Sequence, residues 1–189
     1  MKNNILKFKI GFTLIETLVA ISILTAAIAG PLVMSIKNIG AASTSQDQLV
    51  AFYLGQEVIE YVRNVRDSNL IGKNLEDTEF DWLEGLDYCK ANGCYIDVFV
   101  DDVDGSVTDC GTSGCVNPLK FDGKNYGYLA GEGSSFSRQV QIKKIDSTDD
   151  NVDNPDEAQV DVTMTWKSRY GKDKSKTMKL QDHIFNWRE

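Results

Sequence analysis

The sequence predicts an α+β fold in which one long N-terminal helix packs on an antiparallel sheet. Three observations carry this expectation. An apolar run over residues 12–36 is followed, up to residue 67, by apolar side chains at three- and four-residue spacing. The C-terminal part then changes period, and residues 95–101, 137–145, 158–166 and 176–185 alternate apolar with polar side chains. Between helix and sheet lies an irregular insertion holding all four cysteines.

The N-terminal segment sets the first boundary. Residues 1–11 hold Lys2, Lys7 and Lys9 and no acid, so their removal takes the net charge of the 189-residue chain from −8 to −11. An acidic remainder disfavours nucleic acid as a partner, because phosphate backbones are bound by basic patches. The apolar run is long enough to cross a hydrocarbon core of about 30 Å. Lysines ahead of it place the N-terminus in the cytoplasm by the positive-inside rule, and residues from Lys37 onward outside. A secretory signal peptide cut after Ala29, in "AIA", or a plain single-pass anchor accounts for the run. Neither accounts for Glu16. A carboxylate near the centre of a membrane helix costs about 2.5–3.5 kcal/mol.

The stretch Gly11-Phe12-Thr13-Leu14-Ile15-Glu16, after a short basic leader and before a long apolar helix, resembles the prepilin cleavage motif of type IV pilins and type II secretion pseudopilins. The resemblance implies a dedicated peptidase cutting between Gly11 and Phe12, N-methylation of Phe12, and a role for Glu16 in assembly. There its carboxylate pairs with the α-amine of a neighbouring subunit and sets the register. It also implies a pilin fold, other pilin subunits and an inner-membrane assembly platform as partners, and an extracellular filament as the destination. Gly30-Pro31 falls slightly earlier than the proline that such helices commonly carry. A kink or local melting is expected near residues 26–29.

The organisation expected is a leader at 1–11, a membrane or filament-core half-helix at 12–36, an amphipathic half-helix at 37–67 and a globular domain at 68–189. In the amphipathic half two overlapping stripes compete. One is Leu49, Phe52 or Tyr53, Val58 or Ile59, Val62 and Val65; the other is Ala51, Leu54, Val58, Tyr61 and Val65. Gly40 and Gly55 are expected weak points, each about 1 kcal/mol below alanine. Glu57, Glu60, Arg63 and Arg66 read as a salt-bridged outer surface. Phe80, Trp82, Leu83, Leu86 and Tyr88 are expected to cover the helix, and the run 123–135 to form a surface loop.

Cys89, Cys94, Cys110 and Cys115 form two C-x4-C pairs. Four thiolates at paired spacing suit zinc, but an oxidising compartment favours two disulfides. Three connectivities are open. Local closure, Cys89–Cys94 with Cys110–Cys115, is the expected one, and a crossed pattern the alternative. Two acidic clusters, with Asp102 and Asp104 in one and Asp149 and Asp153 in the other, are candidate calcium ligands set against ordinary acidic turns. His183 is the lone histidine, "GEGSSF" at 131–136 lacks phosphate-loop spacing, and no catalytic dyad stands out. The expectation is a structural subunit, not an enzyme, with no cofactor: a minor pilin, alternatively a type II secretion pseudopilin, or a soluble binding protein released after Ala29.

Overall fold

The structure, a computed structural model, describes residues 11–72, 81–100, 103–112, 114–145, 156–168 and 175–187, with the side chains of 103 and 104 left aside. The chain divides into two compact units at Ser43/Thr44. One helix, α1 (Leu14–Gly72), supplies the described part of the first unit from Leu14 on and the opening element of the second. The helix is continuous through Pro31, residues 26–29 included. A proline removes one amide donor, while its fixed φ suits a helix.

In the second unit the strands are β1 (Cys94–Ile96), β2 (Val107–Asp109), β3 (Pro118–Phe121), β4 (Tyr126–Gly127), β5 (Glu132–Ile145), β6 (Glu157–Lys167) and β7 (Ser175–Phe185). A short helix, α2 (Val103–Ser106), precedes β2. The described strands form one antiparallel sheet organised by β5. Along one edge β5 pairs first with β3 and then with β1, and along the other with the whole of β6, which pairs with β7. The result is the pilin-like α+β arrangement of a long helix and an antiparallel sheet.

The long strands form where the period of two is clear. On β5, Phe136, Arg138, Val140 and Ile142 are buried, and on β6 Ala158, Val160, Val162, Met164 and Trp166. Register aligns them in rows, such as Val140–Val162–Leu180 across three strands. Short strands arise differently. β1 stops at Ile96, short of the predicted 101, because Asp97 turns the chain. Its carboxylate accepts the N–H of Phe99 at 3.2 Å and of Tyr128 at 2.7 Å. The run 123–135, expected as loop, contains β4 and the start of β5.

The buried stripe of α1 in this unit is Asp47, Ala51, Leu54, Gly55, Val58, Ile59, Val62, Val65 and Leu70. It follows the second predicted stripe apart from Tyr61, which is half-buried, and takes Ile59 and Val62 from the first. Leu49, Phe52 and Tyr53 are exposed instead. Gly55 is a contact point and not a weak one: a Cβ there would lie 2.8 Å from Leu180 Cδ1. The helix runs past the predicted end at 67 because Leu70 is buried and the Asn69 amide donates to the carbonyls of Trp82 and Glu84. Trp82, Leu83 and Leu86 join the same buried cluster, whereas Tyr88 is exposed and Phe80 lies outside the described residues.

Arg138 ties the helix to the sheet. It is wholly buried on the inward face of β5. Its guanidinium donates to the Leu54 carbonyl at 2.8 Å, the Ile96 carbonyl at 2.7 Å and Glu57 Oε2 at 3.0 Å. Glu57 therefore turns toward the core and is not part of an outer ladder with Arg63. Arg63 in turn bridges Glu60 at 2.6 Å and Asp182 of β7 at 2.9 Å. Tyr128 donates its hydroxyl to the Arg138 carbonyl at 3.3 Å. Burial pushes the Tyr128 phenol up to about 12, only partly offset by the nearby Arg138 charge.

Two outcomes are expected. Arg138→Ala should lower unfolding free energy by about 3–5 kcal/mol in urea titrations, since it strands two carbonyls and a half-buried carboxylate. Arg138→Lys should recover only a minor part, because an ammonium cannot fork to separated acceptors. The raised Tyr128 phenol means that the native state holds this proton more tightly than the unfolded chain. Its contribution is complete below about pH 10 and is lost as pH rises toward 12. Tyr128→Phe should therefore flatten the alkaline limb of stability against pH, measured by thermal melts.

Candidate functional site

The first described residues, Gly11, Phe12 and Thr13, precede the helix. Thr13 is its N-cap: Oγ1 accepts the Glu16 N–H at 3.3 Å, and its carbonyl accepts the N–H groups of Glu16 at 3.1 Å and Thr17 at 3.2 Å. Glu16 thus stands third in the helix, in the first turn, where unpaired amides and the helix dipole favour negative charge. The pattern Thr-x-x-Glu is that of a capping box, a local signal that the sequence reading passed over. Thr13 is accordingly a further residue that shapes this site.

Beyond the first turn the surface is apolar on every side. Residues 11–39 are all exposed, including Phe12, Leu14, Ile15, Leu18, Val19, Ile21, Ile23, Leu24, Ile28, Leu32, Val33, Met34 and Ile36. A helix apolar all round calls for lipid or other helices rather than water. α1 is long and apolar enough there to cross a membrane. Its hydroxyls suit such a setting. Thr17 donates to the Leu14 carbonyl, Ser22 to that of Leu18 and Thr25 to that of Ser22, at 2.8, 2.8 and 3.0 Å, so each satisfies its hydrogen within the helix.

The cysteines form two disulfides, Cys89–Cys94 and Cys110–Cys115, each closing its own C-x4-C loop. The thiols are therefore not available to zinc. Cys89 and Cys94 are fully buried and link the 3-10 turn Asp87–Cys89 to the start of β1. Cys110 follows β2 and donates its N–H to the Gly93 carbonyl at 3.1 Å, so the two loops adjoin. Asp102, Asp149 and Asp153 lie outside the described residues, as does the Asp104 side chain. Among the described residues no group of three His, Cys, Asp or Glu side chains is placed to hold a metal ion. His183 Nδ1 lies 2.6 Å from Glu157 Oε1 across the β6–β7 ladder.

Burial orders the two bridges. Graded reduction with a thiol should open Cys110–Cys115, whose Cys115 is partly exposed, before the fully buried Cys89–Cys94. Alkylation followed by peptide mapping reads the order.

The profile of the prokaryotic N-terminal methylation motif matches residues 7–30. No curated protein and no solved structure matches the chain. The motif, the long apolar helix that bears it and the antiparallel sheet that follows are together consistent with a type IV pilin-like protein.

Proposed function

We propose that this chain is a structural subunit of a type IV pilus-like filament, specifically a minor pilin. The methylation motif on the exposed apolar stretch of α1, residues 11–39, is the observation that carries the reading. The precursor sits in the inner membrane with its N-terminus in the cytoplasm, and prepilin peptidase cuts between Gly11 and Phe12. Phe12 is N-methylated, and the assembly platform moves the subunit into a filament with other pilins. Lipid contacts of residues 12–36 are then exchanged for helix–helix contacts, which suits a surface with no charge beyond its first turn. The protein has no catalytic role in this reading. A type II secretion pseudopilin would share every step of the processing.

Glu16 has two jobs in this scheme. Within the chain it favours the helix start. Between chains its carboxylate meets the new amine on Phe12 of a neighbour, and burying an unpaired charge is avoided only when the neighbour is present.

Mass spectrometry of the mature N-terminus should find N-methylated Phe12, and a start at Gly30 would overturn the reading. Glu16→Gln separates the two jobs, because glutamine serves a capping box but carries no charge. Glu16→Ala and Glu16→Gln should both be cleaved normally and both be depleted from sheared filaments. Recovery of the glutamine variant at wild-type levels would reduce Glu16 to a helix-capping residue.

A further inference from the structure

The inward face of the sheet continues beyond the hydrophobic core. β5 enters that core at Phe136, which is 4 % exposed. Its N-terminal end pairs with β3, whose Phe121 faces Glu132 of β5 and Tyr126 of β4 in one cross-strand row. Strand alternation puts Glu132, Ser134 and Phe136 on one side of β5. These side chains, with Phe121, Asp122 and Tyr126, line an open cleft of about 690 Å³.

The cleft is built from fixed parts. A chain of rings leads out of the core: Trp166 to Phe136 at 6.4 Å, Phe136 to Tyr126 at 6.0 Å and Tyr126 to Phe121 at 4.7 Å between centroids. Its outermost ring, Phe121, is 38 % exposed. The β3–β4 hairpin is held by Asp122 Oδ1, which accepts the N–H of Lys124 at 2.8 Å and of Asn125 at 2.7 Å. Those N–H groups keep the Asp122 carboxyl below its usual range. Gly131 closes the wall at φ +102°. A Cβ there would lie 2.4 Å from the Phe121 carbonyl carbon, so no other residue lets the two backbones meet.

The lining selects a ligand class. Among the described residues that line it are two carboxylates and no lysine, arginine or histidine, a balance that disfavours phosphates and acidic sugars. Its exposed rings form a row and do not box in a compact cation, as an ammonium site would require. Flat apolar rings edged by carboxylate and hydroxyl oxygens offer a stacking surface beside hydrogen-bond acceptors. The volume is that of an ordinary small-molecule site. We infer that this cleft binds a neutral carbohydrate of one or two pyranose rings, the C–H face of a ring stacking on Phe121 and Tyr126 and its hydroxyls donating to Glu132 and Asp122.

The test is saturation-transfer NMR on the full chain in a polyoxyethylene detergent, which has no sugar head group. The probes are neutral mono- and disaccharides of glucose, galactose, mannose and N-acetylhexosamines, with sialyllactose and tetramethylammonium as the anionic and cationic arms. At least one neutral sugar should bind and both charged probes should not. Phe121→Ala and Glu132→Gln should each weaken binding about tenfold, while Phe52→Ala, an exposed ring outside the cleft, leaves it unchanged. Glu132 is exposed, so its glutamine variant keeps the fold intact as the second arm. Absence of binding by every neutral sugar, preference for either charged probe, or binding that survives both cleft variants would each overturn the proposal.

Discussion

Arg138 leaves β5 on the buried face of the sheet, in register with Met164 and Met178. A guanidinium with no access to water must find acceptors there or the fold fails. It finds them on three elements: the Leu54 carbonyl and Glu57 carboxylate of α1, and the Ile96 carbonyl at the end of β1. Apolar packing alone allows a helix to slide or turn over a sheet. Directional bonds to one helical turn do not. Gly55 sits beside that turn and lets Leu180 approach the helix axis, so the polar anchor and the closest apolar contact coincide. The fork is not complete, since Nε of Arg138 is buried without a partner. That cost is tolerated because losing the anchor would cost more.

One helix meets two environments. From residue 11 to 39 every side chain is exposed and the apolar ones lie all round. From Asp47 on, burial narrows to a single stripe. Hydroxyls in the first part bond to their own helix, whereas polar groups in the second reach outward, as Arg63 does to Asp182 and Tyr61 to Ser106. The same secondary structure thus serves a nonaqueous partner in one unit and a sheet in the other. The boundary follows composition, not any break in backbone geometry.

Strong periodicity was legible and weak periodicity was not. β5, β6 and β7 run 11 to 14 residues, and their alternation is clear in the sequence over 137–145, 158–166 and 176–185, but not over the start of β5. β2, β3 and β4 have two to four residues each and exist because β1, β5 and β3, in that order, offer them edges. Asp97 looked like a polar position within a strand, yet its carboxylate ends that strand by taking two amides, one of them 31 residues away. A signal for Arg138 was present, since it shares parity with Val140 and Ile142 on β5. Charge argued for the outside, and only the acceptors supplied by distant segments reverse that argument.

The sequence by itself determined what depends on neighbours along the chain. The apolar span and the methylation motif are contiguous, so their chemistry is written in order; the Thr13–Glu16 helix start is contiguous too, whereas the C-x4-C spacing leaves three pairings open. Tertiary structure alone decided which helical stripe is buried, that Glu57 faces inward while Tyr88 faces out, and that Phe121, Tyr126 and Glu132 share one cleft. These outcomes rest on contacts between residues far apart in the chain, and the free energy of a buried charge or a close approach depends on the partner that arrives there.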